Sequence, residues 1–335
     1  MKIAFATIIF NGNNTYEETL RTIYPYASQI LISEGPVTYW QQQGYTTSTD
    51  GTNEMLDNFP DPDNKIKIVH GQHIEKHLQA NAYMDFIDDD IDYLWGVAHD
   101  HIYNPKGIEK IIGILEESKC SYTQVRFKTV NFYGGFDRRM TGYEESLVFP
   151  LIHRVYPGTR WRSHRPLKLV HEQTPLPSKI LGPQHGVKVF HYGYVFADHV
   201  AQKTKYYREW VARPGGAPGQ TRKMRRKLSN LSFEQARKES NVIENYFENV
   251  YLPWVKGNKK QREEIEAKYR GVQVLRWQYR QKIGEADCYT AKFTGKHPKI
   301  IQDNMDKLMK KFSEQLEKYI PVRKGRRSRK GHLLK

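Results

Sequence analysis

The sequence predicts an α/β fold over about residues 1–200 and a basic, mainly helical extension over residues 201–335. Short apolar, β-prone runs recur along the first part with helical segments between them, as in the βαβ units that build a parallel sheet. The charge changes at the same place: residues 1–200 contain 19 Lys and Arg against 23 Asp and Glu, and residues 201–335 contain 34 against 14. We therefore expect a parallel sheet covered by helices on both faces, and an extension suited to a polyanionic partner.

Apolar runs and turn residues predict the elements of the first part in order. The run KIAFATIIF predicts the first strand, and the turn-forming residues 11–14 end it. Thr15 is expected to cap the first helix, because Glu18 lies three residues further on, at the spacing of a capping box. Further strands are predicted at QILIS, KIKIV and DYLWGVA, and the helices between them at NEMLDNF and HIEKHLQANAYMDFI.

The pattern changes after Ser118. The segments SYTQVRFKTVNFYG and KVFHYGYVF alternate enough to predict strands, and charged helical segments follow Ala201. The Gly- and Pro-rich segment 212–227 is predicted to be a loop, and the basic tail 323–335 to be disordered in isolation. The last helical segment, MDKLMKKFSEQLEKYI, has an apolar face that could lie on a membrane, although packing on the protein's own core is the favoured interpretation.

Composition argues against several classes of protein. Two cysteines, Cys120 and Cys288, give no disulfide framework and no zinc-finger spacing, so a reducing compartment is expected. The N-terminus has no small-residue cleavage site, and no run of about 18 apolar residues occurs, so neither a signal peptide nor a transmembrane helix is predicted. We expect a cytoplasmic protein, in the host cytoplasm if it is viral, with a peripheral membrane position as the alternative.

Polar side chains follow three of the predicted strands. Asn11 follows the first strand, Glu34 the second, and His99-Asp100-His101 the fourth. Ligands of open parallel sheets bind beyond the carboxyl ends of the strands. A carboxylate at Glu34 is placed to take a ribose hydroxyl or a base edge, and Asp100 with a neighbouring histidine can hold a divalent ion against a diphosphate.

The order of these motifs resembles the GT-A glycosyltransferases, especially the inverting enzymes of glycosyltransferase family 2. The resemblance covers about residues 1–200. It includes the polar end of the first strand, the acid Glu34 before the STDGT helix start at residues 48–52, an asparagine in the helix before the metal-binding strand, and the strand end that is followed by Asn104-Pro105. It implies a Rossmann-like GT-A domain, a nucleotide-sugar donor with UDP as the expected nucleotide, Mn²⁺ or Mg²⁺, and the donor-binding residues Phe10, Asn11, Glu34, Asp50, Asn81 and His99.

The metal-binding strand departs from the family pattern. Ala98 stands where the family carries the first acid of its DxD motif, and His101 stands where a Glu is usual, while Asp100 keeps the acid that meets the metal. The resemblance therefore implies Asp100 as a metal ligand, with His101 as a further candidate. The late element FHYGYVF resembles a His-x-Gly motif that supplies another metal or diphosphate ligand, which nominates His191.

The resemblance also nominates a catalytic base. Glu172, in LVHEQTP, lies where related enzymes carry an acidic residue at the acceptor face, and an inverting transfer needs one carboxylate to take the acceptor's proton. Some of the nominated residues also have a structural interpretation: His99 or His101 taken alone could be a hydrogen-bonded surface histidine. Glu172 could pair with a nearby arginine, Asp50 could be a helix N-terminal acid, and His191 could be a core histidine.

The sequence leaves the function open among three hypotheses, of which the first two differ in the acceptor. The first is a hexosyl- or pentosyltransferase acting on a polyanion, such as viral DNA that carries hydroxymethylated bases, bound through the basic extension. The second is transfer to a cell-surface glycan or lipid-linked acceptor at a membrane. The third is a catalytically dead GT-A domain that binds nucleic acid, which the loss of the first acid at Ala98 favours. Nothing in the sequence predicts an oligomeric state.

Overall fold

A computed structural model describes residues 1–164, 167–170, 179–216, 222–239, 243–272 and 287–320 of the protein. Within them the chain forms a mixed α/β fold around an eleven-stranded sheet and a separate two-stranded sheet. The strands are β1 (Ile3–Ile9), β2 (Gln29–Glu34), β3 (Ile66–His70), β4 (Tyr93–Gly96), β5 (His101–Ile102), β6 (Gln124–Tyr133), β7 (Arg138–Met140), β8 (Val148–Arg154), β9 (Arg160–His164), β10 (Leu167–Val170), β11 (Ile180–Leu181), β12 (Lys188–Tyr194) and β13 (Thr290–Lys292).

Helices connect the strands and make up most of the C-terminal part. The α-helices are α1 (Tyr16–Ile23), α2 (Thr38–Gln41), α3 (Thr52–Asp57), α4 (Lys76–Met84), α5 (Pro105–Glu117), α6 (Tyr143–Ser146), α7 (Ala197–Tyr206), α8 (Arg222–Leu228), α9 (Phe233–Glu239), α10 (Leu252–Lys256), α11 (Lys259–Tyr269), α12 (Lys299–Asp303) and α13 (Met305–Glu317). The π-helical segment Tyr207–Val211 extends α7, the π-helical segment Phe247–Tyr251 precedes α10, and short 3-10 turns occupy Tyr24–Tyr26 and Pro183–His185.

The sheet is parallel only in part. Strands β3, β2, β1 and β4 lie side by side and parallel, which confirms the predicted βαβ arrangement of the first four strands. The rest of the sheet is mixed, because β8 enters between β4 and β6 and runs antiparallel to both. Strand β12 then pairs in parallel with β6 and antiparallel with the short β5.

Alternate side chains of β1 enter two different hydrophobic clusters. Phe5 stacks on Trp95 with ring centroids 5.0 Å apart, in the cluster that contains apolar residues of α1 and α5. Ala4 and Ala6 lie in the other cluster, with Leu31 and residues of α4. Successive side chains of a strand point to opposite faces of the sheet. Because both faces of β1 are covered by apolar residues, its sequence is a continuous apolar run.

Two local predictions are wrong. Thr15 is the N-cap of α1, but no capping box forms, because its hydroxyl donates to the carbonyl of His99 at 3.3 Å and Glu18 lies 3.6 Å from Lys307. The predicted loop at 212–227 is helical from Arg222 onwards, where Arg, Lys and Met are good helix formers. The tail 323–335 lies outside the described residues.

Residues on both sides of position 200 share hydrophobic clusters. Trp254 contacts Tyr133 of β6, with ring centroids 4.9 Å apart. A Cβ at Gly134, where φ is +63°, would lie 2.5 Å from the Trp254 ring. Leu308 and Phe312 of α13 pack in a cluster with residues of β6 and β12, as the favoured interpretation of this helix predicts. None of the described helices is long and apolar enough to span a membrane. The division into two domains at 200 stays a prediction.

Candidate metal and nucleotide site

The strand order creates a crevice beside β1. The chain places β2 and β3 on one side of β1 and then returns to place β4 on the other side. Ligands of open α/β sheets bind where the strand order reverses in this way, outside the carboxyl ends of the strands. The residues after β1 begin at Phe10, and those after β4 include His99, Asp100 and His101, so this crevice is the candidate site.

Asp100 lies at the centre of a group of imidazoles. Its side chain is buried, and Oδ2 lies 3.2 Å from Nε2 of His191 and 3.7 Å from Nε2 of His199. His101 pairs directly with His191 across β5 and β12, and their ring centroids are 5.1 Å apart. Two sets of three side chains bring their ligand atoms within 4.8 Å of one another: Asp100 with His101 and His191, and Asp100 with His99 and His199. The structure thus brings all the nominated metal ligands together.

Sequence reasoning missed His199. It lies on α7, three residues after the FHYGYVF segment, and its ring meets that of His99 edge to face. The signal was spacing: His199 and Lys203 are four residues apart and therefore lie on one face of a helix. Placing the predicted domain boundary at 200 separated the two residues and hid this face.

Gly193 leaves open space between the ligands. A Cβ at this position would lie 2.4 Å from Nε2 of His191, 2.5 Å from Oδ2 of Asp100 and 2.9 Å from Nζ of Lys203. Real Cβ atoms do not approach other atoms so closely, so any larger residue would displace the cluster. The Lys203 ammonium also lies 4.3 Å from the centre of the Tyr194 ring. A small cradle therefore exists between one carboxylate, one imidazole and one ammonium group.

Burial and neighbouring charges set the protonation of the cluster. Burial alone would raise the pKa of Asp100, but its interactions with His191 and His99 outweigh burial and hold this pKa well below its usual range. Burial lowers the pKa of His101 to about 3, lowers that of His99, and lowers that of His199 well below its ordinary value. Asp100 is therefore a carboxylate, and these three imidazoles are neutral, near neutral pH. Those are the forms that bind divalent ions.

An observation that is independent of the sequence motifs indicates that the cluster can hold a divalent metal ion. The ring Nδ1 of His99 is buried and has no hydrogen-bond partner among the described residues, which leaves a polar atom unsatisfied in a place where that is costly. A carboxylate and several imidazoles suit Mn²⁺, Co²⁺ or Zn²⁺ better than Mg²⁺, which prefers oxygen ligands.

The loop after β1 is held by the segment that precedes α3. Asn11 is buried with φ of 51°, and its Oδ1 accepts a hydrogen bond from the Thr49 amide at 2.7 Å. Asp50 is exposed and accepts hydrogen bonds from the amides of Asn13 and Thr52 at 2.9 and 3.1 Å. The structural interpretation of Asp50 as an acid at a helix start therefore has support.

Phe10 belongs to an aromatic patch formed with residues that follow β2 in the chain. Its ring lies 5.7 Å from that of Trp40 and 5.4 Å from that of Tyr45. Trp40 in turn lies nearly parallel to Tyr206 of α7, with centroids 6.4 Å apart. This patch adjoins the end of β1, where the donor prediction places a nucleotide base.

Two other predicted donor residues are engaged by their own chain. Glu34 is buried, and its carboxylate accepts hydrogen bonds from the Ser48 amide at 2.8 Å and the Thr47 hydroxyl at 3.1 Å. The amide of Asn81 makes two hydrogen bonds to the backbone of Trp161, at 2.9 and 2.7 Å, and so fastens β9 to α4. Their roles in donor binding stay predictions. Glu172 lies outside the described residues.

Comparisons with known proteins do not assign the chain to a family. No protein-family model matches the sequence, and no curated protein matches it. Among solved structures the chain is similar to S. aureus TarS 1–349, at 11% identity and a TM-score of 0.38 over 89% of this chain and 98% of that chain. It is also similar to S. aureus TarS 1–349 in complex with UDP-GlcNAc, at 14% identity and a TM-score of 0.28, a match that spans only 36% of that chain and 39% of this one.

A third similar structure is a mannose-1-phosphate geranyltransferase from Thermus thermophilus, at 11% identity and a TM-score of 0.25 over 71% of this chain and 68% of that chain. At these scores the similarities carry no conclusion about this chain. The case for its function rests on the cluster and on the motifs in the sequence.

Proposed function

We propose that the protein is a metal-dependent, inverting glycosyltransferase that moves a sugar from a nucleotide-sugar donor, with UDP as the expected nucleotide, to an acceptor hydroxyl. The observation that carries the proposal is the position of Asp100. This buried carboxylate lies just beyond the end of β4, the neighbour of β1 in the sheet, and is surrounded by imidazoles and an ammonium group. Such an arrangement supplies ligands for a divalent ion at the place where an open α/β sheet binds a nucleotide.

The residues of the cluster have separable roles in this proposal. Asp100 and His191 would hold the ion, with His99, His101 or His199 completing the ligand set. A bound divalent ion supplies positive charge that stabilises the departing nucleoside diphosphate. Lys203 supplies a second positive charge from the chain itself, and Gly193 keeps the space between these groups open. The loss of the first acid at Ala98 does not leave the site without ligands, since histidines surround the remaining carboxylate.

The nucleophilic half of the reaction needs a base on the acceptor side. Glu172 is the proposed base, taking the proton of the acceptor hydroxyl as the sugar's anomeric carbon is attacked. The aromatic patch of Phe10, Trp40 and Tyr45 is the proposed contact for the nucleotide base, because planar rings stack on aromatic side chains.

The favoured acceptor is a polyanion such as viral DNA with hydroxymethylated bases. The charge of residues 201–335 supports this choice. The described residues support it only weakly, because Lys259, Lys260 and Lys310 each lie near a glutamate four residues further on, at 3.9 Å. The acceptor is therefore tested separately from the donor.

The test of the donor half is nucleotide release from a panel of nucleotide sugars with Mn²⁺ present. We expect one donor to be bound and slowly hydrolysed, and both a chelator and Asp100→Asn to abolish the release. The matched control is Asp89→Asn, an exposed aspartate after α4, which should behave as wild type. If no nucleotide sugar is bound or hydrolysed, or if Asp100→Asn hydrolyses the donor at the wild-type rate, the proposal fails.

A further inference from the structure

The two ring nitrogens of His191 face two different oxygen atoms. Nδ1 lies 2.5 Å from Oδ1 of Asn131, and Nε2 lies 3.2 Å from Oδ2 of Asp100. Asn131 is buried and is the direct neighbour of His191 in the pairing of β6 with β12. The ring therefore bridges from a buried amide to the carboxylate of the candidate site.

The orientation of the Asn131 amide is fixed from its other side. Its Nδ2 lies 3.1 Å from Oε2 of Glu144 and 3.0 Å from Oγ1 of Thr129. A carboxylate only accepts hydrogen bonds, so the amide NH₂ must face Glu144 and the amide oxygen must face His191. Because an amide oxygen is also only an acceptor, Nδ1 of His191 must carry a hydrogen and donate it.

This chain of hydrogen bonds determines what lies at the other nitrogen. With Nδ1 protonated, a neutral His191 directs the lone pair of Nε2 at Oδ2 of Asp100, which is itself an acceptor. Two acceptors 3.2 Å apart attract each other only if a cation lies between them or beside both. That cation is either a second proton on the ring or a metal ion. Metal-binding histidines commonly donate their other N–H to an oxygen acceptor, which fixes the ring and the tautomer.

We propose that Asn131, oriented by Glu144, is a positioning residue that holds His191 in the tautomer whose Nε2 binds a transition-metal ion together with Asp100. The inference rests on the proposed function only for the presence of the ion, since metal binding can be measured without donor or turnover. It assigns two residues that no motif in the sequence marks, and it makes the relay Glu144–Asn131–His191 part of the metal site.

The test uses Co²⁺, whose visible absorption reports the number and type of its ligands. In the full chain, Asn131→Leu keeps the branched shape of the side chain and removes the acceptor, and we expect the Kd for Co²⁺ to rise about 10- to 100-fold, the usual effect of losing such a partner. Glu144→Gln allows the side-chain amide of Asn131 to flip, and it should weaken Co²⁺ binding less than Asn131→Leu does. Asn58→Leu, at the exposed end of α3, is the matched control and should bind Co²⁺ as wild type does.

A rescue variant separates positioning from simple damage to the core. In the double variant Asn131→Asp/Glu144→Gln, the hydrogen-bond donor and acceptor exchange places in the contact between positions 131 and 144. Position 131 still offers an oxygen acceptor to Nδ1 of His191. It should recover most of the Co²⁺ affinity and the wild-type absorption spectrum. Failure of the double variant to recover affinity, with an intact circular dichroism spectrum, would count against the relay.

Ring-nitrogen NMR on the Zn²⁺-loaded protein gives a second measurement that does not depend on any variant. We expect Nδ1 of His191 to carry a hydrogen and Nε2 to show the shift of a metal-bound nitrogen. A protonated Nε2 at saturating Zn²⁺ would overturn the inference. Co²⁺ binding that requires Asn131 in a protein without nucleotide-sugar hydrolysis would support the relay and count against the proposed function, so the two failures are distinguishable.

Discussion

The rings of His99 and His199 meet edge to face, with centroids 4.9 Å apart, although His99 lies in the middle of the α/β region and His199 at its C-terminal end. His99 follows β4, and His199 lies in the first turns of α7. Their contact brings imidazoles to Asp100 from a second direction, so nitrogen atoms outnumber carboxylate oxygens around the site. The ligand set determines which ions the site can hold.

The first prediction concerns metal preference. Mn²⁺, Co²⁺ and Zn²⁺ should bind measurably and raise the melting temperature, whereas Mg²⁺ should do so only weakly, because it prefers oxygen ligands in a near-ideal octahedron. His199→Ala should weaken Co²⁺ binding, and His77→Ala on α4 serves as a control histidine outside the cluster. Calorimetric titration measures the affinities of the wild type for the four ions and the Co²⁺ affinities of the two variants. Equal affinity for Mg²⁺ and Mn²⁺ would contradict the prediction.

Lys203 should have opposite effects on the metal ion and on the nucleotide. Lys203→Met removes a positive charge beside Asp100, so we expect tighter Co²⁺ binding. The same change removes a charged hydrogen-bond donor, worth about 1.5–3 kcal/mol, so UDP binding with Mn²⁺ present should weaken about tenfold or more. The control is Lys205→Met, whose ammonium contacts Gln43 Oε1 at 3.2 Å instead. Parallel loss of metal and nucleotide binding would indicate general damage to α7.

Glu172 can be tested by its effect on turnover alone. Glu172→Gln should leave donor affinity nearly intact and reduce transfer by about 10²–10⁴-fold, the usual contribution of a positioned base. Donor binding by calorimetry and transfer by product release separate the two effects. An equal loss of donor binding would instead make Glu172 a structural or donor-side residue. Glu117→Gln, on the exposed end of α5, is the control.

Parts of this outcome could be predicted from the sequence, and parts could not. The alternation of apolar runs with helices predicted β1 to β4 to within a few residues, because period and turn residues are local properties. The antiparallel insertion of β8 could not be predicted, since pairing between distant strands leaves no local signature. Nor could the contacts of Asn131 and His199 with the other site residues be predicted, although the spacing of His199 and Lys203 places both on one helix face. Asn131 and His199 are ordinary polar residues in the sequence, and only the meeting of α7 and β6 with β4 and β12 makes them part of the site.

The acceptor prediction concerns salt. If DNA is the acceptor, association should weaken steeply as salt rises, because each neutralised phosphate releases condensed counterions. Deleting residues 323–335 and neutralising Arg222, Lys223, Arg225, Arg226 and Lys227 should raise the acceptor's apparent KM and leave donor hydrolysis nearly unchanged.

The measurement is fluorescence anisotropy with duplex DNA over a salt series, beside binding to anionic liposomes. Neutralising Lys259 and Lys260, which lie near glutamates of their own helix, is the matched control and should have a smaller effect. Tight, salt-independent liposome binding without DNA affinity would exclude the DNA hypothesis and favour the glycan or lipid-linked acceptor.

A buried histidine outside the site predicts sensitivity to acid. His185 accepts a hydrogen bond from the Val187 amide at Nδ1, at 3.0 Å, and its Nε2 donates to the Arg126 carbonyl at 2.8 Å, so its ring is neutral. Burial lowers its pKa, and the nearby charge of Lys110 lowers it further, against the opposing effect of the carbonyl. The unfolded chain, with an ordinary histidine pKa near 6.5, then binds a proton that the folded chain does not.

Stability should therefore be intact above about pH 6.5 and fall as the pH drops towards the lowered pKa, by up to about 1.4 kcal/mol per pH unit for this one group. Urea unfolding at about pH 7.5 and about pH 5.5, on either side of the ordinary histidine pKa, measures the loss. His185→Asn keeps an acceptor for the Val187 amide and does not titrate, so its stability should fall less than that of the wild type over the same interval. An identical fall in both proteins would mean that His185 is not neutral in the folded state.

Helix α13 connects two parts of the site that lie far apart in the sequence, the loop after β1 and the start of α7. Gln315 contacts Asn14 and the start of α7, at 2.8 and 3.1 Å, Lys311 donates to the Asn13 carbonyl, and Lys318 pairs with Asp198. These contacts fasten the loop after β1 to the helix that carries His199 and Lys203. Domains generally fold as units, N-terminal ones first as they emerge from the ribosome, and α13 emerges after every other described element. A nascent chain that ends before α13 therefore contains every nominated metal ligand. It still lacks the contacts that connect the loop after β1 to α7.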